Sequence, residues 1–249
     1  MTQLSKPRSV TGKTVLVTGA NRGIGKALVE EALRRGAARV FAASRRPLSV
    51  TSDRLTHLTF DVTEPSEIAR AIQMVDALDI LVNNAGVAVA DDLGRLDLVE
   101  RHLQVNLLGM LRVTHASLPI LKRSRGAIVN HLSLAAVAAL PMIPAYSISK
   151  AAALNLTQAL RALLAPDGIS VHGVVLGPVD TDMSRSLDVP KASPAAAAAG
   201  ILDGLERGEE EIFPDPASAA IADKWRVGIA KALEQQFAAF APERVGVPA

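Results

Sequence analysis

Short runs of apolar and β-branched residues alternate along the chain with longer stretches in which apolar residues recur every third or fourth position. Thr14–Val17 (TVLV) has no polar face, as a strand buried on both sides of a parallel sheet requires. Ile24–Arg35 follows with Ile24, Leu28 and Leu33 on one helical side, and Gly36 stops it. The same pattern predicts strands at Arg39–Ala43, Thr56–Phe60, Asp79–Val82, Ala127–Leu132 and Ile169–Leu176. Helices are predicted at Pro65–Leu78, Leu96–Leu121 and Ala145–Leu164. Too few residues separate Arg46 from Thr56 for a crossover helix, so a loop or a single turn is expected there. Further on, helices at Ser193–Leu205 and Ser218–Ala239 flank a short strand near Glu211–Phe213, with Glu209–Glu211 read as a solvated run.

Strands alternating with helices imply βαβ units. The expected fold is α/β: a single doubly wound parallel sheet, Rossmann-like, of about seven strands with helices on both faces. No Pro- or Gly-rich linker divides the sequence, so residues 1–249 are expected to form one domain. Residues 1–11 are expected to be flexible, and 182–208 to supply a loop and helices beside the substrate.

Composition narrows the function classes. Hydrophobic residues make up 49% and charged residues 21%, a globular rather than a disordered profile. Lys and Arg number 27 against 25 acidic residues, a net charge of +2 that is too balanced for a nucleic-acid partner, despite a sequence pI near 9.1. Aromatic residues at 3% offer little stacking surface for bases. Cysteine is absent, which removes disulfide and thiolate chemistry. No apolar run approaches the roughly 20 residues of a membrane span, and the polar start lacks a signal-peptide core, so a cytoplasmic protein with no membrane partner is expected. His57, His102, His115 and His172 show no metal-ligand spacing, so no metal is expected.

Chemistry concentrates in four places. Gly19, Gly23 and Gly25 punctuate the turn T-G-A-N-R-G-I-G, which joins the first strand to the first helix. Such a turn lets the backbone approach a pyrophosphate, and the helix start supplies free N–H groups. Asn83-Asn84-Ala85-Gly86 follows the fourth strand, and Ser133 follows the fifth. Tyr146 and Lys150 lie four apart at the start of a helix and so share a face. A phenol of ordinary pKa about 10 is a poor acid–base group at neutral pH, and a neighbouring ammonium is expected to lower it. Tyr146 would then exchange a proton with a carbonyl or alcohol oxygen that Ser133 holds. Ser133 with His131 lacks the G-x-S-x-G elbow of a hydrolase nucleophile, and His131 is read as a packing or supporting residue.

The T-G-x-x-x-G-x-G turn, N-N-A-G, the serine and Y-x-x-x-K, in this order, resemble the short-chain dehydrogenase/reductase family in its compact form, over about Gly12 to Thr181. The resemblance implies an oxidoreductase that moves a hydride between a nicotinamide cofactor and a carbonyl compound or alcohol. It implies Asn106, Ser133, Tyr146 and Lys150 as catalytic residues, with Lys150 also holding the nicotinamide ribose and Asn106 supporting a water beside it. It places the cofactor against Gly19, Asn21, Arg22, Gly23, Ile24 and Gly25. It adds Asp61 and Val62 at the adenine, Asn84, Ala85 and Gly86 beside the ribose, and Pro178, Val179 and Thr181 near the carboxamide. Here Leu176 stands where the family has a proline, and the segment after Thr181 follows pattern alone. The second strand ends in Ser44-Arg45-Arg46 with no carboxylate, so NADP(H) is expected over NAD(H), with Ser44 and Arg45 at the 2′-phosphate. Small apolar residues in Val87–Leu93, Leu134–Ile143 and Met183–Ala199 suit a neutral, moderately apolar ketone, aldehyde or alcohol. A homodimer built on the two long helices is expected, with a homotetramer as the alternative. The rival readings are a catalytically silent NAD(P)-binding regulator and a sugar-nucleotide epimerase or dehydratase. The intact Ser133, Tyr146 and Lys150 argue against the first, and the length against the second.

Overall fold

The computed structural model describes residues 9–240, so residues 1–8 of the stretch expected to be flexible lie outside the described residues. Val10 is fully buried and donates its N–H to Glu206 at 3.2 Å. Thr11 Oγ1 donates to the Arg35 carbonyl at 2.8 Å, so the chain is already tied down at this point.

Seven parallel strands form one sheet in the order β3-β2-β1-β4-β5-β6-β7. They are β1 (Thr14–Thr18), β2 (Arg39–Ser44), β3 (Leu55–Thr59), β4 (Ile80–Asn83), β5 (Ala127–His131), β6 (Ser170–Val174) and β7 (Glu211–Ile212). Alternate strand residues enter opposite cores, as the two-residue period requires. Val15, Val17, Val40 and Ala42 pack with α1 (Gly23–Arg34) and α6 (Pro194–Arg207) on one face. Leu16, Phe41, Leu81 and Ile128 pack with α2 (Pro65–Ile72), α4 (Met110–Ser124) and α5 (Pro144–Leu164) on the other. The sheet is therefore doubly wound. The strand order reverses between β1 and β4, which opens a crevice beyond their carboxyl ends. Residues 45–54 contain no helix, in keeping with the short β2–β3 connection.

Three helices differ from the pattern. The first, α2, ends at Ile72 rather than Leu78: Met74 and Val75 donate their N–H groups to the Ala71 and Ile72 carbonyls in tighter turns of 3.1 and 3.0 Å, after which the Asp76 carboxylate accepts the Ala77 N–H at 3.0 Å. The stretch from Leu96 comprises α3 (Leu96–Leu103), a π-helical segment (Gln104–Gly109) and then α4. A π turn is invisible to a 3.6-residue period. The stretch expected as one C-terminal helix is broken into α7 (Pro216–Ala219), α8 (Ala222–Arg226) and α9 (Ile229–Phe237). Gly228 separates the last two in an extended conformation, where a Cβ would lie 2.9 Å from the Lys224 carbonyl oxygen. The break lets α9 fold back. Lys231 reaches Glu210 at 2.6 Å, Glu211 at 3.0 Å and Glu234 at 3.0 Å, and Arg161 of α5 pairs with Glu211 at 2.9 Å and with Glu234. Glu211 is thus a buried member of an ionic cluster rather than part of a solvated run.

Candidate active site

The crevice is built around the end of β1. Thr18 Oγ1 accepts the N–H groups of Asn84 and Ala85, each at 3.0 Å, which locks the segment after β4 against the glycine-rich turn. Asn84 Nδ2 donates to the carbonyls of Thr18 (2.9 Å) and Gly19 (3.3 Å). Gly19 and Gly23 adopt positive φ of 66° and 53°. At Gly25 a Cβ would lie 2.2 Å from the Gly19 carbonyl oxygen, so only glycine lets the first turn of α1 close onto the loop. No side chain caps the start of α1, so its first N–H groups remain available to an anion. This bare backbone cradle fits a pyrophosphate.

One groove runs from that turn to α5. Of the residues expected at a cofactor, Gly19, Asn21, Arg22, Gly23, Ile24, Gly25, Ser44, Arg45, Asp61, Val62, Asn84, Ala85, Gly86, Tyr146, Lys150 and Thr181 all line it. Pro178 and Val179 do not. Val179 is buried and bridges to Ala192, where it fixes the base of the segment that carries Thr181. The Gly177 N–H donates to the Asp215 carboxylate at 2.8 Å, an anchor that holds this turn although Leu176 replaces the proline. A second recess beside the groove is framed by Asn21, Arg22, Arg45 and Arg46, a basic surface suited to a phosphate. Both flanking arginines have carboxylate partners: Arg45 meets Asp61 at 3.2 Å, and Arg22 meets Asp182 at 2.8 Å. Burial raises the Asp61 pKa, but hydrogen bonds from Thr63 and the Arg45 charge outweigh it and hold that carboxyl below its usual value. The Ser44 hydroxyl is engaged locally, donating to the Arg46 carbonyl (2.6 Å) and lying 3.0 Å from His57 Nε2.

At the far end of the groove, Tyr146, Ser133 and Lys150 come together. The Ser133 hydroxyl lies beside the Tyr146 phenol and accepts the Ala135 N–H at 3.1 Å. Lys150 is buried, with Nζ donating to the His131 carbonyl at 2.6 Å and lying 5.7 Å from the Tyr146 ring centroid. The electrostatics differ from the sequence expectation. Burial pushes the phenol above its usual pKa, only partly opposed by Ser133, and burial lowers Lys150 to about 8. Desolvation wins because the ammonium spends its hydrogen bond on a backbone carbonyl rather than on the phenol oxygen. Tyr146 therefore keeps its proton at neutral pH, which suits a proton donor.

Asn106 lies off the groove, wholly buried in the π segment. Its Oδ1 accepts the Val87 N–H, and its Nδ2 donates to the Val87 carbonyl and to Ser149 Oγ, all at 2.9 Å. His131 is a wall of the groove rather than a packing residue. It lies two residues before Ser133, and alternate residues of an extended chain share a side, a signal present in the sequence. Its Nδ1 donates to Asn84 Oδ1 at 3.0 Å. Burial, reinforced by the Lys150 charge, lowers its pKa to about 3. The pattern also missed Phe60 and Val105, which line the groove only because distant segments converge there, whereas Met183, expected beside the substrate, does line it.

Residues 13–191 match the family model described as short chain dehydrogenase. A short-chain dehydrogenase of Penicillium crustosum is 38% identical over 183 residues, a match that covers 68% of this chain and 66% of that protein. An oxidoreductase of Salmonella typhimurium, UcpA, is 35% identical over 195 residues, covering 72% of this chain and 73% of that protein. The crystal structure of a short-chain dehydrogenase from Burkholderia cenocepacia in complex with NADP superposes with a TM-score of 0.85 at 35% identity. That superposition covers 92% of this chain and 98% of the other.

Proposed function

The chain belongs to the short-chain dehydrogenase/reductase family, and on that premise we propose that it is an NADP(H)-dependent carbonyl reductase or alcohol dehydrogenase. The observation that carries the reading is the convergence of the Tyr146 phenol, the Ser133 hydroxyl and the Lys150 ammonium at the end of a groove floored by the glycine turn. When bound, the nicotinamide supplies or accepts the hydride. The protein does the rest. Ser133 holds the substrate oxygen, and Tyr146, protonated at neutral pH, donates its proton to that oxygen as the alcohol forms. In the reverse direction Tyr146 takes the proton back. Lys150 would hold the nicotinamide ribose, and Asn106 keeps the Val87 backbone fixed.

The basic recess of Arg22, Arg45 and Arg46 supports NADP(H) over NAD(H). The NADP complex of the Burkholderia relative points the same way. Exposed Met142, Leu140 and Val137 near Tyr146 support a neutral, moderately apolar substrate. The same reading takes the chain as one cytoplasmic domain. It also takes it as a homodimer through α4 and α5, where Leu111, Ile148 and Leu163 are exposed.

The test is a panel of cyclohexanone, acetophenone and hexanal, with the matching alcohols, followed by NADPH absorbance. Turnover with NADPH and weaker turnover with NADH are expected. Tight NADPH binding without turnover of any probe would replace the enzyme with a silent regulator.

A further inference from the structure

Beyond β4 the chain runs without regular secondary structure past the reaction centre, and side chains from the helices pin it at alternate residues. Asn106 takes both backbone groups of Val87. His102, four residues earlier, takes the next one: its Nε2 accepts the Val89 N–H at 3.1 Å. The spacings agree, since four helical residues rise about 6 Å and two extended residues about 6.6 Å. The other imidazole nitrogen, Nδ1, lies 2.6 Å from the Leu98 carbonyl. One partner only donates and the other only accepts, so the ring is neutral with its proton on Nδ1. His102 is fully buried, and its ring meets Tyr146 edge-on, with centroids 6.4 Å apart and planes at 76°.

We propose that His102 is a positioning residue that holds the Tyr146 ring and the Val87–Val89 segment in register, by its ring edge and its Nε2 respectively. The two contacts are separable. A ring without a nitrogen keeps the first, and an amide of the same reach keeps the second. The kinetic half of the inference rests on the reading of Tyr146 as the proton-transfer group, whereas the structural half does not.

Tyr146 is the sole tyrosine, so ring-labelled tyrosine reports this one side chain by NMR. The test compares wild type, His102→Phe and His102→Gln by that spectrum, and by kcat and KM for the fastest carbonyl probe of the panel above. His102→Phe keeps the ring edge but loses the acceptor for Val89. It should leave the Tyr146 signals and kcat within about twofold while KM rises about 3- to 10-fold. His102→Gln keeps an acceptor but loses the edge. It should speed Tyr146 ring flipping and lower kcat about 3- to 10-fold while KM holds within about twofold. Equal losses in both parameters for both variants, or an unchanged Tyr146 spectrum in His102→Gln, would overturn the proposal. If wild type turns over no probe, the enzyme reading fails, and the Tyr146 spectrum alone decides whether His102 holds that ring.

Discussion

Replacing His131 with leucine turns a half-buried, titratable ring into a group that takes up no proton at any pH. The native ring is held neutral by burial and by Lys150, with a folded-state pKa of about 3 against 6.5 for a free histidine. Well above pH 6.5 neither the folded nor the unfolded chain is protonated at this position, and stability does not depend on it. As pH falls from 6.5 toward 3, the unfolded chain binds a proton that the folded ring refuses, so stability is lost with a slope of up to about 1.4 kcal/mol per pH unit. Between pH 7.5 and 4.5 the loss sums to roughly 2–3 kcal/mol. The figure is set mainly by the unfolded pKa, because the window ends above the folded one. The variant also leaves Asn84 Oδ1 without the 3.0 Å bond from Nδ1, a cost that is the same at every pH in this window. Urea unfolding at half-unit steps across the window separates the two effects. Wild type should lose about 2–3 kcal/mol more than His131→Leu on acidification, whereas a uniform offset with parallel pH profiles would refute the argument that His131 stays neutral in the folded protein.

Tyr146→Phe removes the transferable proton while sparing the cradle. Turnover should fall by about 10²–10⁴-fold with NADPH binding within a few-fold, and normal turnover would exclude Tyr146 as the proton donor. Ser44→Asp with Arg45→Ala places a carboxylate at the end of β2 and removes a cation from the basic recess. The ratio of kcat/KM for NADPH over NADH should fall by about tenfold to a hundredfold, and an unmoved ratio would leave these arginines without a part in cofactor choice. Lys231→Met strands Glu210, Glu211 and Glu234 with Arg161 as their remaining cation in the cluster, so urea unfolding should register a loss of about 3–5 kcal/mol. A loss below about 1 kcal/mol would mean that the cluster sits in an environment close to water.

The strand and helix succession, the parallel sheet and the glycine turn were legible because each is a local matter. An all-apolar run such as Val15–Val17 has no polar face to expose, and a helix that opens at Gly23 needs backbone freedom that only glycine supplies. The spacing of Tyr146 and Lys150 placed them on one helical face before any contact was known. What lay beyond local pattern was every interaction in which distant segments meet. The π turn around Asn106 exists because Val87 and Ser149 supply three bonds that reward the widened helix. The break at Gly228 exists because α9 must return to neutralise Glu211 beside β7. The direction of the Tyr146 shift followed the same rule. Sequence spacing placed a cation nearby, but the depth of the phenol and the carbonyl that captured Lys150 were set by β5, on another part of the chain. Period and propensity act within a few residues, whereas desolvation and hydrogen-bond choice depend on which surfaces the packed chain brings face to face.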